Sequence, residues 1–210
     1  MKGQPKTALN RGPIVGVMGS GSEGHINRSA PLGRWLAESG VHLLTGGGGG
    51  VMVAVSESFH SVSQRTGSVI GIIPWDEDAG KPRDGYPNPW VEIPIYTHLP
   101  LSGGRGKEPL SRNHINVLSS DVIVALPGDT GTASEVTLAV DYRRPIVAFV
   151  DSKDQIPGLS SKVPVEPDFE DVRAFVGGIL RTLGDYHDRH SGRSLECKVP
   201  YETTDVRLQK

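Results

Sequence analysis

Three apolar runs in this chain each end in a glycine turn, and each turn leads toward a segment with helical spacing. Ile14–Met18 runs into Gly19-Ser20-Gly21-Ser22, Val41–Leu44 into Thr45 and the five glycines 46–50, and Asp121–Leu126 into Pro127-Gly128-Asp129-Thr130-Gly131-Thr132. Continuous apolar strands that alternate with helices predict a parallel sheet covered on both faces. Ligands of such sheets bind beyond the carboxyl ends of the strands, so the three turns are expected to share one rim. Five consecutive glycines cost backbone entropy on folding. Because they lie between a strand and a helix, without the Ser admixture of a linker, they read as a close approach of backbone to ligand.

The rest of the chain continues the alternation. A helix from about Asn27 to Ser39 carries Leu32, Trp35 and Leu36 on one face and is ended by Gly40. Further helices are predicted over Met52–Gln64, Leu110–Leu118, Gly131–Tyr142 and Asp168–Leu183, and strands over Ser68–Ile73 (stopped by Pro74), Val91–Tyr96 and Pro145–Val150. The expected fold is α/β, a Rossmann-like doubly wound parallel sheet of about six or seven strands with helices on both faces. One nucleotide-binding domain is expected over residues 13–185, preceded by a flexible N-terminus at 1–12 and followed by a C-terminal extension at 186–210. The charged, Pro- and Gly-rich segment Pro74–Pro89 is expected to form no regular element and to serve as a lid, a subunit contact or a surface excursion. Trp75 and Tyr86 in it would stack a base or pack locally. The basic, glycine-rich 102–107 segment is a candidate to close over an anion.

Composition narrows the function. A chain of 210 residues suits one compact domain, and a net charge of −2 exerts no global pull on nucleic acid or anionic membrane. No apolar run approaches the roughly 20 residues that span a bilayer, and Met1–Arg11 lacks the apolar centre of a signal peptide. Cys197 is the lone cysteine, so no intrachain disulfide forms and a cysteine-based metal site is disfavoured. The seven histidines show no metal-site spacing: His42 reads as a core or boundary residue, while His98 and His114 flank the proposed site. These features fit a cytoplasmic protein that binds no nucleic acid, no membrane and no metal. The turn at 127–132 suits a phosphate, because glycines admit the ligand and a helix start offers free N–H groups at its positive end. Ser20 is a further candidate to contact phosphate, through its hydroxyl or its amide.

Together these residues resemble the LONELY GUY and lysine decarboxylase-like group of Rossmann-like nucleotide-binding proteins. That group carries a Pro-Gly-Gly-x-Gly-Thr-x-x-Glu motif with an Arg one helix earlier. Here the motif stands at Pro127–Glu135, with Arg112 fifteen residues before Pro127. Thr45–Met52 is similar to the group's Gly-Gly-Gly-x-x-Gly-Leu-Met segment, and Ile70–Pro74 to its third strand. Arg112-Asn113 departs from the Arg-Lys pair of the cytokinin-activating members and is similar to the branch with molybdenum-cofactor carrier proteins. Asp129 stands where the group has a second glycine. A carboxylate there repels phosphate unless it points away or meets a cation, and would instead accept hydrogen bonds from a ribose or a pterin-type ring.

The resemblance implies two functions. One is a carrier or sensor that holds an AMP-like nucleotide or a molybdopterin-type cofactor without chemistry. The other is a phosphoribohydrolase that cleaves the N-glycosidic bond of a nucleoside 5′-monophosphate through an oxocarbenium-like centre. In the second, Glu135 stabilises the charge and orients water, and Arg112 holds or polarises the base or phosphate. In both, Gly19, Ser20, Gly46, Gly47, Gly48, Gly49, Met52, Pro127, Gly128, Asp129, Thr130, Gly131 and Thr132 form the ligand-binding loops, with phosphate held by the amides of Gly128 and 130–132. No further cofactor is required. A decarboxylase would need an electron sink, and no pyridoxal-lysine context is present. The group's members are commonly dimers or tetramers, which implies a homo-oligomer with the helices of Arg112 and Glu135 near the interface.

Overall fold

The computed structural model of the chain describes residues 12–76 and 78–190. Residues 1–11 of the expected N-terminal segment 1–12, and 191–210 of the extension with Cys197, lie outside the described residues. Strands β1 (Ile14–Met18), β2 (His42–Thr45), β3 (Val69–Asp76), β5 (Ile93–Thr97), β6 (Val122–Ala125) and β7 (Ile146–Ala148) form a parallel sheet in the order β5-β3-β2-β1-β6-β7. A seventh strand, β4 (Lys81–Pro82), pairs antiparallel with the end of β3. Helices α1 (Ile26–Glu38), α2 (Val51–His60), α3 (Asn113–Ser119), α4 (Thr130–Asp141) and α5 (Phe169–His190) complete the α/β fold.

Side-chain alternation builds the two halves of the core. Val122, Val124 and Leu126 join Leu32, Leu36, Phe59 and Val172 in one cluster, while Ile123 and Ala125 join Val117, Val136 and Ala139 in the other. Successive residues of a strand point to opposite faces, so one apolar run serves both clusters. That is why these strands read as continuous hydrophobic stretches. The chain winds outward from β1 through β2 and β3 to β5, then crosses to β6 and β7 on the other side of β1. The switch point lies between β1 and β6, where a doubly wound sheet opens a crevice.

Several boundaries differ from the sequence expectation. β3 does not stop at Pro74 but runs to Asp76. Proline lacks only the donor; the Pro74 carbonyl still accepts from Arg83 N at 3.0 Å. The 74–89 segment contains β4, so it is not free of regular structure. α2 ends at His60, where Ser61 turns its hydroxyl back to Ser58 O, although Val62 beyond it still packs against the core. α3 begins at Asn113, since the bridge between Leu101 and Ser111 holds the chain extended just before it. α5 continues to His190, past the expected end at Leu183. Among the described residues no helix is long and apolar enough to cross a membrane.

Candidate functional site

The three glycine turns do meet at the switch point. Ser20 N donates to Pro127 O at 3.0 Å, Leu126 N to Met18 O at 2.8 Å, and Val51 N to Ser20 O at 2.9 Å. These bonds tie the ends of β1 and β6 and the start of α2 into one floor. Above it lies a cleft of about 180 Å³. It is lined by Gly19, Ser20 and Gly21 after β1, Gly46 and Met52 around the pentaglycine turn, Arg112 and Asn113 at the start of α3, and Asp129, Gly131, Thr132 and Glu135 on α4. Tyr86, Ser102 and Gly103 close its sides.

Not every expected contact reaches the cleft. Gly47, Gly48, Gly49, Pro127, Gly128 and Thr130 are absent from its lining. The carbonyls of Gly47 and Gly48 accept from Asn88 N at 2.7 Å and Asn88 Nδ2 at 3.0 Å. Gly49 O takes Met52 N at 3.2 Å, and Thr130 O takes Ser134 Oγ at 2.9 Å. The Gly128 amide donates to Gln155 O at 3.0 Å, so it is not available to a phosphate. Glycine is needed there for space: a Cβ would run into Thr132 Oγ1 and come within 2.8 Å of Ser20 N. The Ser20 amide is likewise spent on Pro127, and its hydroxyl accepts from Ser22 N and Glu23 N at 3.2 and 3.0 Å. Of the amides expected to hold a phosphate, those of the first turn of α4 are the ones with no carbonyl of their own helix to bond.

Arg112 is almost fully buried. Its Nη1 donates to Gly46 O at 2.8 Å and to Ile72 O at 2.5 Å, and its Nη2 lies 3.4 Å from Tyr86 Oη. The guanidinium also sits 5.3 Å from the Tyr86 ring centre, a cation–π arrangement. Its Nε is buried without a hydrogen-bond partner. Burial lowers the Arg112 pKa, opposed by Tyr86 and Glu135. Glu135 is pushed up to about 7 by burial, opposed by a hydrogen bond from Asn116 and by the Arg112 charge. A carboxyl poised near neutrality inside a cleft is a feature of functional sites.

Sequence reasoning set Tyr86 between two roles; the structure places it at the cleft, over Gly48, whereas Trp75 packs edge-on against Tyr96. It missed Asn116, although a polar residue one turn after Arg112 falls on the same face of α3. It also missed Asn88, which anchors the 74–89 segment onto the pentaglycine turn. In the 102–107 segment, Arg105 is taken by Glu108, with both bonds at 2.7 Å, and the loop is held to α4 by Ser134 Oγ on Gly103 O at 3.0 Å. His98 and His114 do not line the cleft; His114 bridges Tyr142 Oη and Glu108 O. His42 accepts from Ser68 N at 3.1 Å at the sheet boundary. Among the described residues no group of three or more His, Cys, Asp or Glu is placed to hold a metal.

Glycine turns gathered at the switch point of a doubly wound sheet, with a helix N-terminus and a buried arginine facing one cleft, define a Rossmann-like protein built to bind a small ligand. More particularly, the chain belongs to the SLOG cluster4 family, whose model matches residues 12–166. It is similar to an uncharacterized protein of Archaeoglobus fulgidus, 31% identical over 128 residues, covering 60% of this chain and 72% of that one. Its fold is similar to the Moco carrier protein of Chlamydomonas reinhardtii, with TM-score 0.63, 30% identity, and 82% and 99% of the two chains covered. It is also similar to the molybdenum cofactor binding protein of Rippkaea orientalis, with TM-score 0.64, 30% identity, and 81% and 99% covered.

Proposed function

We propose that this chain binds a molybdopterin-type cofactor in the cleft and carries it without altering it. The observation that carries this reading is the likeness, at 30% identity, to two proteins described as a carrier and a binder of that cofactor, each covered over 99% of its length. The cleft chemistry agrees. The first-turn amides of α4 and the Thr132 hydroxyl suit the phosphate end, and the orphaned Arg112 Nε is a buried donor that a ligand acceptor would satisfy. Asp129, exposed at the N-terminus of α4, is an acceptor for the amino and ring N–H groups of a pterin. The ligand, when bound, supplies any redox chemistry; the chain's residues orient it and shield it.

The test is to mix purified protein with released molybdenum cofactor and measure retention by gel filtration and transfer to a cofactor-free acceptor enzyme. Retention followed by transfer is the expected result; no retention would sink the reading. Gly131→Val should then fold as wild type, because a Cβ there meets nothing nearer than Gly103 Cα at 3.7 Å. It should nonetheless lose binding more than tenfold, about 1.4 kcal/mol, by standing where the phosphate approaches the backbone. Unchanged affinity would remove the α4 N-terminus from the site.

One observation favours a second reading, hydrolysis of a nucleoside 5′-monophosphate: Glu135, with its pKa near 7, has the poise of a general acid or base. Incubation with AMP, GMP, CMP, UMP and IMP, followed by chromatography of free base, decides it. Base release that vanishes in Glu135→Gln would establish the hydrolase; no release leaves the carrier. We also infer a homo-oligomer, a dimer or tetramer. Leu110, Leu118 and Tyr142 expose apolar surface around α3 and the end of α4, at 55%, 45% and 38%. Light scattering coupled to gel filtration should return a multiple of 22.5 kDa.

A further inference from the structure

Asn116 is fully buried, and only half of its amide is used. Its Nδ2 donates to Glu135 Oε1 at 2.9 Å, while its Oδ1 is buried without a partner. An orphaned buried acceptor costs stability, and an apolar side chain of similar size would remove that cost. What the amide provides is one bond to one carboxylate. No other side chain among the described residues donates to Glu135. Arg112, one turn earlier on α3, acts on it through charge alone, because Nη1 is committed to Gly46 O and Ile72 O.

We propose that Asn116 is the positioning residue of the site: its amide fixes Oε1 of Glu135 and leaves Oε2 to the ligand. The role deepens the reading that the cleft is the ligand site, and it rests on that reading for its purpose. The titratable and charged groups that line the cleft with Glu135 are Arg112 at the start of α3, Tyr86 from the segment before β5, and Asp129 just before α4; of these Arg112 acts on its charge, and Arg83 acts in turn on Arg112. An uncharged donor on a buried carboxylate favours the charged form. Without it, burial is opposed only by the Arg112 charge, and the carboxyl holds its proton to higher pH.

The experiment is a pH titration of the full chain labelled with carboxyl-¹³C glutamate, in which Glu135 is identified by the resonance that Glu135→Gln removes. Wild type is expected to titrate near 7. Asn116→Leu should move the midpoint upward while melting no lower than wild type at about pH 4, where the carboxyl is protonated in both proteins, a combination that a merely structural role would not produce. A midpoint that stays put or falls in the folded variant overturns the proposal. Asn116→Ala replaces the leucine variant, with the same two outcomes, if the latter does not fold. The titration is read on free protein, so it fails independently of the ligand. A raised midpoint together with unaltered retention of molybdenum cofactor by Glu135→Gln would support the positioning role and defeat the site reading.

Discussion

Glu135→Gln should melt at a higher temperature than wild type at about pH 8 and at nearly the same temperature at about pH 4. The sign follows from where the carboxyl holds its proton. Its pKa is 4.5 ordinarily and about 7 in the folded chain. Between those values the native state is protonated and the unfolded state is not. Wild-type stability therefore falls as pH rises through that window and stays low above it. Glutamine is neutral throughout and escapes the loss. At about 1.4 kcal/mol per pH unit the difference reaches about 3 kcal/mol, or several degrees for a chain of this size. The value is an upper bound, because Glu135 keeps part of its surface at the cleft. Differential scanning calorimetry at the two pH values checks it; equal melting of the two proteins at the higher pH would refute the burial of an ionisable carboxyl. A stabilising substitution at a cleft residue is the mark of a group kept for function rather than for the fold.

The second large effect lies at the entry to α2. Gly50 has φ 58° and ψ −128°, a conformation that side chains avoid, and a Cβ on it would run into Ser20 O and come within 2.7 Å of Gly21 C. The obstacle is backbone on the floor of the cleft, so no side chain can yield. Gly50→Ala should cost more than about 4 kcal/mol, combining backbone strain with displacement of the floor. Gly80→Ala is the matched control. Gly80 also has positive φ, at 61°, but nothing lies within 4 Å of its Cβ position. That variant should lose only about 1 kcal/mol. Urea unfolding of both variants reads the contrast, and equal losses would show that strain alone, not the crossing of the β1 loop, sets the requirement for glycine.

Much of the fold was readable because its central strands are buried on both faces, unlike the exposed edge strand β5. Val122–Leu126 has no polar residue to blur it, and each glycine turn marked a strand end at the shared rim. The boundaries failed where tertiary contacts outrank local preference. Pro74 continues β3 because its carbonyl still bonds Arg83 N, and Leu110 is left out of α3 by the bridge at Ser111. At the site, residue types pointed to Arg112, Glu135 and the loops, whose convergence on one cleft the structure supplies. They gave no hint of which amides were already taken. Gly128 N goes to Gln155 O and Ser20 N to Pro127 O, pairings between segments distant in sequence that no motif encodes. Asn116 was hidden for a different reason: its spacing from Arg112 puts it on the same face of α3, but its role needs the partner on α4.

The ties among Met18, Ser20, Leu126 and Pro127 also constrain the order of events during synthesis. The cleft takes Gly19 and Gly46 from the first half of the chain and Arg112 and Glu135 from the second. A nascent chain that has completed β1, α2 and β3 holds only half of a socket, with neither the arginine nor the α4 amides yet made. The socket forms when β6 inserts beside β1, a pairing across more than a hundred residues. A ligand bound there would be held only once both halves are in place, and it would brace the seam between the early and late halves, so that occupancy itself would guard against their separation.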